Sequence, residues 1–408
     1  MLISFRFKNF RSFLDETFIN MKAVTYKELP DHLIPFDNQK LIKTLAVYGP
    51  NSSGKSNLFF AFASFHSLIF WQLFPSQASS KNRFINLLQL NSMDRIIPFQ
   101  SEDTKELPTE MEISFLSNNR IYEYGFSMCS QKIIKEHLTV DHHLVFSRTE
   151  KELSYGRFYE KCMRSKSGIR PQDTRLFCSI LVSLDVPELT VIMKPFEKFF
   201  SSKIFYYFDI LEPLQILGNT MMDGLLFKIM GNPEAIEFSL SQLRKLGVPV
   251  EDIIVDNGIP KLGFLTKSRS NGQLFVKYMD ITEISSGTLK NLFMFLKIYE
   301  LSQNGGILMV DSISSAFHPA VTKFIVDSFQ QESNKNVQLI FSTHDISILN
   351  NQQFRRDEVA FVDMNEYGES SLYTLADIKV RSDASFSKDY LLGKYGAVPL
   401  VKDTIFCI

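Results

Sequence analysis

Apolar and polar residues alternate at the start of the chain, where Ile3, Phe5 and Phe7 are separated by polar positions. A period of two is typical of a strand with one buried face, and residues 9–12 have the composition of a turn. The same alternation returns at residues 112–116 and 121–126, on either side of the turn-like sequence Ser-Asn-Asn. The pattern therefore predicts a hairpin at each place.

Short apolar runs without alternation recur at residues 306–310, 337–341 and 359–362, and polar or charged residues follow each of them. Such runs predict buried, largely parallel strands. Another short run, 45–48, ends at a glycine, and the helix-compatible stretch 57–74 comes soon after it. The predicted order at this place is strand, glycine-containing loop, helix.

The pattern also divides the chain into parts. Residues from about 174 to 246 lose the alternation and include helix-forming stretches such as Glu234–Leu246. A chain of 408 residues is long enough for about two or three compact units. We expect an α/β protein with a mixed sheet and flanking helices. Its predicted parts are an N-terminal lobe at 1–165, a helical insertion or lid at 166–262 and a C-terminal lobe at 263–408.

Composition narrows the class of protein. Forty-four basic and 45 acidic residues give a net charge of -1, which is not the signature of a dedicated nucleic-acid binder, although a local basic face stays open. The four cysteines form no Cys-x-x-Cys pair, as expected of reduced thiols in a cytosolic protein. The most apolar tract, 67–74, is far below the roughly 18 residues of a membrane span, so no membrane segment is expected.

The strongest chemical signal is the segment GPNSSGKS, which fits the phosphate-binding P-loop with both glycines, the lysine and the hydroxyl in place. Glycines let the backbone curl so that successive N–H groups point at phosphates, and the next helix adds the positive end of its dipole. Lys55 is expected to bridge the terminal phosphates and Ser56 to bind Mg²⁺. The segment predicts ATP and Mg²⁺ as ligands. The predicted nucleotide-binding residues are Gly49, Pro50, Asn51, Ser52, Ser53, Gly54, Lys55, Ser56 and Asn57.

A second segment, EISSGT, precedes the helix-like run 291–301. One interpretation of Ser285, Ser286 and Gly287 is a serine-capped helix start. The other is a phosphate-binding device, because a helix N-terminus presents free N–H groups. The position of Asp311 favours the second interpretation, because the residues from Gly287 to Asp311 leave room for one helix and one strand.

The strand Gly306–Asp311 ends on an acid at the edge where ligands of α/β sheets bind. It has the form of a Walker B strand, whose aspartate would hold Mg²⁺ opposite Ser56; the alternative is an aspartate that caps the next turn. A further buried strand ends in the sequence Ser-Thr-His-Asp. His344 is a candidate sensor of the terminal phosphate or a structural histidine.

Together these motifs resemble ABC-type ATPases of the SMC, RecF and OLD group, and most closely the stand-alone AAA-family ATPases of abortive-infection systems. The motifs that carry the resemblance are FKNFRSF, GPNSSGKS, EISSGT, the Asp311 strand followed by His318-Pro319, STHD, residues 355–357, residues 367–370 and residues 389–396. The resemblance implies an ATPase head that forms a head-to-tail dimer or a higher homo-oligomer. Each nucleotide would lie between the P-loop of one subunit and Ser285-Ser286-Gly287 of the other.

The resemblance also implies roles for three further residues. Arg11 stands where such proteins place an arginine near the nucleotide, and Gln100 is a candidate for the glutamine that contacts Mg²⁺; surface or packing roles fit both residues equally well. Family members carry a catalytic glutamate after the Walker B aspartate, but here Ser312 follows Asp311. A positioned general base contributes roughly 10²–10⁴-fold to rate, so weak hydrolysis is expected.

The preferred hypothesis is an ATP-binding, slowly hydrolysing dimer that senses infection or the state of DNA and controls a separately encoded effector. The tail after Val380 is short, and members of the resembling family often sit beside Toprim or RloB-like nucleases. The alternative is a fully active, DNA-dependent ATPase of DNA repair, in which another acid or His344 supplies the base. A transporter subunit is disfavoured by FKNFRSF and EISSGT, and an inactive scaffold conflicts with the presence of Lys55, Ser56 and Asp311.

Overall fold

The computed structural model describes residues 1–37, 39–75, 96–99, 103–104, 106–164, 170–184, 186–208, 231–381 and 384–399. Within them the strands are β1 (Leu2–Lys8), β2 (Thr17–Asn20), β3 (Leu33–Phe36), β4 (Gln39–Ile42), β5 (Thr44–Tyr48), β6 (Thr109–Ser117), β7 (Arg120–Cys129), β8 (Lys132–Val140), β9 (His143–Thr149), β10 (Leu153–Tyr155), β11 (Ile204–Phe208), β12 (Val250–Asp256), β13 (Ile259–Lys267), β14 (Leu274–Asp280), β15 (Gly306–Asp311), β16 (Val337–Ser342), β17 (Val359–Met364) and β18 (Ser370–Thr374). The helices are α1 (Lys55–Leu73), α2 (Arg157–Arg164), α3 (Phe177–Val182), α4 (Pro187–Ser202), α5 (Pro233–Lys245), α6 (Ser286–Asn304), α7 (Ile313–Ala316), α8 (Pro319–Gln330) and α9 (Phe386–Leu391).

An antiparallel sheet occupies the N-terminal part of the chain. In the described residues its strand order is β10-β9-β8-β7-β6-β1-β2. Strand β1 pairs with β2, and β6 pairs with β7 through a tight turn whose residues, Asn118 and Asn119, both have positive φ. Asparagine tolerates this left-handed conformation and is favoured in two-residue hairpin turns. Both predicted hairpins are confirmed.

A mixed sheet forms the second layer, with the order β11-β15-β16-β5-β17-β18 among the described strands. All neighbours are parallel except β17 and β18. The three predicted apolar strands become β15, β16 and β17, and β5 lies between β16 and β17. The α/β class with a mixed sheet and flanking helices is therefore confirmed.

Both faces of this sheet are buried, which explains why its strands show no alternation. Leu45 and Val47 of β5 pack into the core shared with α1 and the antiparallel sheet. Ala46 and Tyr48 pack on the other side with α5, α6, α8 and α9. A strand that contacts apolar layers on both faces has no polar positions to give a period of two.

The abundant phenylalanines account for much of the core that α1 shares with the two sheets. Helix α1 lies between the two sheets, so Phe62 and Phe65 contact Phe5 of β1 at ring-centroid distances of 4.9 and 5.3 Å. Phe65 also stacks on Phe126 of β7 at 5.3 Å. Such aromatic pairs add to the free energy gained by burial alone.

The segment 166–262 contains strands as well as helices in its described part. Helices α3, α4 and α5 agree with the expected helical character, but β11 and β12 contradict it. Strand β11 pairs in parallel with β15, so these residues belong to the mixed sheet. Its sequence is an isoleucine followed by four aromatic residues, and in such a run periodicity cannot separate a strand from a helix. The three-part division of the chain stays a prediction.

A buried polar network fastens residues 24–32 to the beginning of β17. The guanidinium group of Arg355 is fully buried and binds Asp357 through two hydrogen bonds of 2.8 Å each. It also donates to the carbonyl oxygen of Val24 at 3.1 Å, and the N–H of Val24 donates to Asp357 at 2.7 Å. Because both charges are paired and hydrogen-bonded, the network tolerates its burial.

Glu358 extends this network to β5. Its carboxylate accepts a hydrogen bond from the hydroxyl of Thr44 at 2.7 Å and lies 2.8 Å from Nδ1 of His32. Thr44 is the first residue of β5. The network therefore fixes the entry of β5 into the mixed sheet.

No helix among the described residues combines the length and apolar character needed to cross a membrane.

Arg355→Ala should lower the free energy of unfolding by about 3–5 kcal/mol, because it leaves the buried Asp357 carboxylate without its partner. Urea denaturation followed by circular dichroism measures the change. Arg269→Ala, which removes an exposed arginine from the loop between β13 and β14, is the control and should change stability by less than about 0.5 kcal/mol. Equal stabilities of the two variants would contradict the role given to this network.

Candidate nucleotide-binding site

The P-loop begins where β5 ends and curls back before α1. Gly49 and Gly54 have φ of 150° and 105°, and Ser52 has φ of 63°. A Cβ atom on Gly49 would lie 2.3 Å from the carbonyl oxygen of Val362, so only glycine fits there. The loop sequence thus produces the curled backbone that was expected.

The Lys55 ammonium group folds over this loop. It donates hydrogen bonds to the carbonyl oxygens of Gly49 at 2.9 Å and Pro50 at 2.7 Å. Burial lowers the pKa of Lys55 to about 8, and the negative charge of Asp311 opposes that shift. At neutral pH the lysine is therefore mostly protonated and carries the charge that phosphates require.

Asp311 ends β15 and is almost completely buried. The hydroxyl of Ser342, at the end of β16, donates a 2.6 Å hydrogen bond to Oδ1 of Asp311. The same hydroxyl accepts the backbone N–H of Ser312 at 2.7 Å. Ser342 thereby fixes the orientation of the carboxylate. An oriented carboxylate and the nearby P-loop hydroxyl are the oxygen ligands that Mg²⁺ prefers, so the residues fit this cation.

A cavity of about 270 Å³ brings most of the predicted residues together. Its walls are formed by Asn51, Ser52, Gly54, Lys55, Ser56, Asn57, Ser312 and His344. None of the described residues that line it carries a carboxylate. The cavity therefore combines phosphate-binding groups with Ser312 and His344, the two candidate catalytic residues.

Ser312 adopts a left-handed conformation, with φ of 59°. Its carbonyl oxygen accepts a hydrogen bond from the Ser315 hydroxyl at 2.7 Å, and Ser312 is one of the residues that line the cavity. His344 follows β16, and its N–H donates to the Ser314 hydroxyl at 3.3 Å. Burial, and secondarily the charge of Lys55, lowers the pKa of His344 below its usual value. Its imidazole is therefore neutral at physiological pH and able to accept a proton.

The predicted signature residues lie at the start of α6. The Ser285 hydroxyl accepts the N–H of Thr288 at 3.2 Å, which is the geometry of an N-cap. Ser285, Ser286 and Gly287 are all exposed, and a Cβ on Gly287 would meet no atom within 4 Å. These residues do not line the P-loop cavity of their own chain.

Arg11 lies beside the P-loop helix. Its guanidinium carbon is 4.6 Å from the centre of the Phe60 ring, and Nη1 donates to Asn57 at 3.4 Å. Burial lowers the pKa of Arg11, although an arginine stays charged at neutral pH. Gln100, the other residue implied by the resemblance, lies outside the described residues.

Ser12 and Ser370, which were not among the predicted site residues, support the P-loop through hydrogen bonds. The Ser370 hydroxyl lies 2.7 Å from the carbonyl oxygen of Ser53 and 2.8 Å from the hydroxyl of Ser12. Asn57 also donates to the Ser12 hydroxyl at 2.8 Å. A Cβ on Gly54 would lie 2.3 Å from the Ser370 oxygen, so the loop packs directly on this pair. Both serines belong to motifs that carry the resemblance, which was the only signal for them.

The fold and the site define the class of protein. The P-loop connects the parallel strand β5 to helix α1. The buried Asp311 ends β15, and His344 follows β16, which lies between β15 and β5. This arrangement is that of an ABC-type nucleotide-binding ATPase fold. The chain belongs to the family described as "AAA domain, putative AbiEii toxin, Type IV TA system", whose model matches residues 45–158 and 201–350. The ATPase part of the resemblance is therefore confirmed. The likeness to abortive-infection systems stays a prediction.

Several solved structures are similar at low sequence identity. The SMC head domain from Thermotoga maritima is 13% identical and has a TM-score of 0.41, with 93% of this chain and 99% of that chain covered. An SmcHead bound to the C-winged helix domain of ScpA is 14% identical and has a TM-score of 0.40, with coverages of 91% and 97%. An Smc head domain with an extended coiled coil, bound to the C-terminal domain of ScpA derived from Pyrococcus furiosus, is 12% identical with a TM-score of 0.40 and coverages of 97% and 98%. No curated protein matches the chain.

Ser370→Ala should weaken ATP binding about 5- to 30-fold, because it removes the hydroxyl that holds the Ser53 carbonyl, a loss of about 1–2 kcal/mol. Isothermal titration calorimetry with ATP and Mg²⁺ measures the dissociation constant. Ser371→Ala is the matched control, since Ser371 is the next residue of β18 and its side chain is exposed. Unchanged affinity in Ser370→Ala would show that the P-loop keeps its shape without this support.

Proposed function

We propose that this chain is an ATP- and Mg²⁺-binding regulator that dimerises through its ATPase heads, hydrolyses ATP slowly and controls a separately encoded effector in defence against phage. The observation that carries the proposal is the composition of the P-loop cavity. It combines intact phosphate-binding groups with Ser312 in the place of the usual catalytic carboxylate.

ATP would be held by groups that already have suitable positions. The curled loop directs its backbone N–H groups at the phosphates, and the Lys55 ammonium would exchange its two carbonyl partners for phosphate oxygens. Ser56 and Asp311 would hold Mg²⁺, which supplies positive charge to the β- and γ-phosphates when bound. The hydrogen bond from Ser342 keeps the Asp311 carboxylate ready for this role.

Slow hydrolysis follows from the groups available to activate water. The Ser312 hydroxyl is uncharged and a very weak base at neutral pH, so it cannot accept the proton of the attacking water as a glutamate would. The described residues that line the cavity provide no other carboxylate. Among the described residues of the lining, the neutral imidazole of His344 is the remaining candidate base.

Ser312→Glu should raise kcat for ATP hydrolysis about 10²–10⁴-fold, because it supplies the missing general base at the end of β15. Phosphate release under saturating ATP and Mg²⁺ measures the rate. Ser312→Gln is the control, since it matches glutamate in size but cannot accept a proton. Equal rates of the two variants, or turnover of tens per second by the unmodified protein that depends on Lys55, would sink the slow-hydrolysis part of the proposal.

Dimerisation is supported by the separation between the P-loop and the signature residues. Ser285, Ser286 and Gly287 are exposed at a helix N-terminus and do not contact the P-loop cavity of the same chain. A second head placed head-to-tail would bring their N–H groups to the terminal phosphate, where a helix N-terminus favours negative charge. ATP would then join the two heads.

Gly287→Arg should abolish ATP-dependent dimers while ATP affinity of the monomer stays within about twofold, because the new side chain projects into open space on the proposed interface. Sedimentation velocity with ATP and Mg²⁺ measures the dimer fraction. Ser302→Arg, at the exposed far end of α6, is the control and should dimerise normally. Dimers that persist in Gly287→Arg would contradict a head-to-tail interface at this segment.

The defence role is supported by the family description, which names a putative toxin of a type IV toxin–antitoxin system. We infer that the chain controls an effector encoded by a neighbouring gene, such as a Toprim or RloB-like nuclease. Phage plating on cells that carry the chain with its genomic neighbours tests this role. Protection that survives Lys55→Ala would rule out control by ATP binding.

A second candidate is a fully active ATPase that acts on DNA in repair. The position of His344 in the lining of the cavity favours it, because a neutral imidazole there is able to act as the base. ATPase assays with and without linear DNA distinguish the two functions. Strong stimulation by DNA ends, lost in His344→Ala, would select this candidate.

A further inference from the structure

A cleft of about 470 Å³ lies at the edge of the mixed sheet opposite the P-loop. Lys203, Gly306 and Asn336, which stand immediately before or at the start of β11, β15 and β16, form its floor. The nucleotide cavity lies at the other ends of these parallel strands. Strands of five or six residues separate the two places by roughly 17–20 Å. The cleft is therefore distinct from the nucleotide-binding site.

The charged side chains that line the cleft all have the same sign. They are Lys194 and Lys198, which lie one turn apart on α4, and Lys203 in the turn that follows this helix. No aspartate or glutamate is found among the described residues that line it. Neither Lys194 nor Lys198 forms an ion pair with any residue that the structure describes. This concentration of charge contrasts with the chain as a whole, whose net charge is -1.

The walls of the cleft are fixed by backbone hydrogen bonds. The N–H of Ile307 donates to the carbonyl oxygen of Lys203 at 2.7 Å, and the N–H of Gly306 donates to that of Asn336 at 2.9 Å. A Cβ on Gly306 would lie 2.6 Å from the Lys203 carbonyl oxygen, so the glycine permits this close approach. A rigid cleft loses little conformational entropy when a ligand binds.

The lysines of the cleft repel one another, and no acidic residue among the described ones lines the cleft with them. Burial and the charge of Lys198 both lower the pKa of Lys203, so the two ammonium groups repel each other. Glu197 of α4 does not line the cleft; burial raises the pKa of its carboxyl group, and the charge of Lys194 only partly opposes that rise. Exposed amides of Asn118, Asn119 and Asn336 add neutral donors around the lysines. An oxyanion between the lysines would relieve the repulsion.

We propose that this cleft binds closely spaced phosphate groups, as found in the backbone of a single-stranded nucleic acid or in a free polyphosphate. Its volume suits a ligand of nucleotide size, whereas a duplex is too wide to enter. Phe199, the aromatic residue of the lining, is almost completely buried and offers no surface on which a base could stack. The cleft therefore recognises phosphates and not base sequence. This inference does not depend on the proposed function.

The test uses Lys55→Ala as the parent protein, because that change removes the P-loop as a competing phosphate site. A fluorescein-labelled 20-nucleotide oligothymidine is titrated with protein at 50–300 mM salt, and fluorescence anisotropy reports binding. Adding Lys194→Gln and Lys198→Gln should weaken binding about 5- to 30-fold at low salt. It should also reduce the slope of log K against log salt by about 1.4, since each lost phosphate contact contributes roughly 0.7.

The matched control adds Lys379→Gln and Lys388→Gln, which remove the same charge from exposed positions outside the cleft. It should bind like the parent. Competition with unlabelled inorganic polyphosphate and with unlabelled oligothymidine identifies the source of the phosphates: displacement by either supports the phosphate site, and the stronger competitor names the ligand class. The proposal is overturned if the parent binds neither ligand, or if the cleft variant and the control lose the same affinity.

Discussion

The site depends on one structural constraint, the insertion of β5 between β16 and β17. Strand β5 comes from the N-terminal part of the sequence, whereas its two neighbours come from residues far along the chain, and all three run parallel. Because the P-loop begins where β5 ends, the position of this strand decides where the phosphate-binding groups stand relative to Asp311 and His344. A slip of one residue would exchange the side chains of β5 between the two cores and separate the loop from its partners.

The P-loop is shaped by its contacts with β17 and β18 as much as by its own sequence. Gly49 packs against the carbonyl oxygen of Val362, and Gly54 packs against Ser370. Ser342 couples the ends of β15 and β16 by contacting both Asp311 and Ser312. A change of the loop on nucleotide binding must therefore be felt by β17 and β18, because close-packed groups cannot move independently. Under the proposed function, this coupling would carry the effect of nucleotide binding from the P-loop to β17 and β18.

The sequence was most informative where the physics is local. The P-loop could be predicted because glycine spacing, lysine and hydroxyl act within eight consecutive residues, and the buried strands could be predicted from their apolar runs. The support by Ser12 and Ser370 could not, since these residues are 358 positions apart and each serine alone has the properties of an ordinary turn residue. Strand β11 was missed for another reason: a run of consecutive aromatic residues has no period to distinguish a strand from a helix. The exposure of Ser285-Ser286-Gly287 likewise depends on tertiary packing that the motif does not encode.

Under the proposed function, the missing carboxylate has a kinetic meaning. Typical enzymes turn over about ten times per second, and loss of a general base costs about 10²–10⁴-fold. An ATP-bound pair of heads would then persist for roughly ten seconds to a quarter of an hour before hydrolysis. Such a lifetime is too long for a motor that must cycle along DNA, but it suits a switch whose bound state must outlast a transient signal. Under the same proposal, serine at position 312 would leave the groups that bind ATP in place and lack the carboxylate that activates water, so this single position would separate binding from turnover.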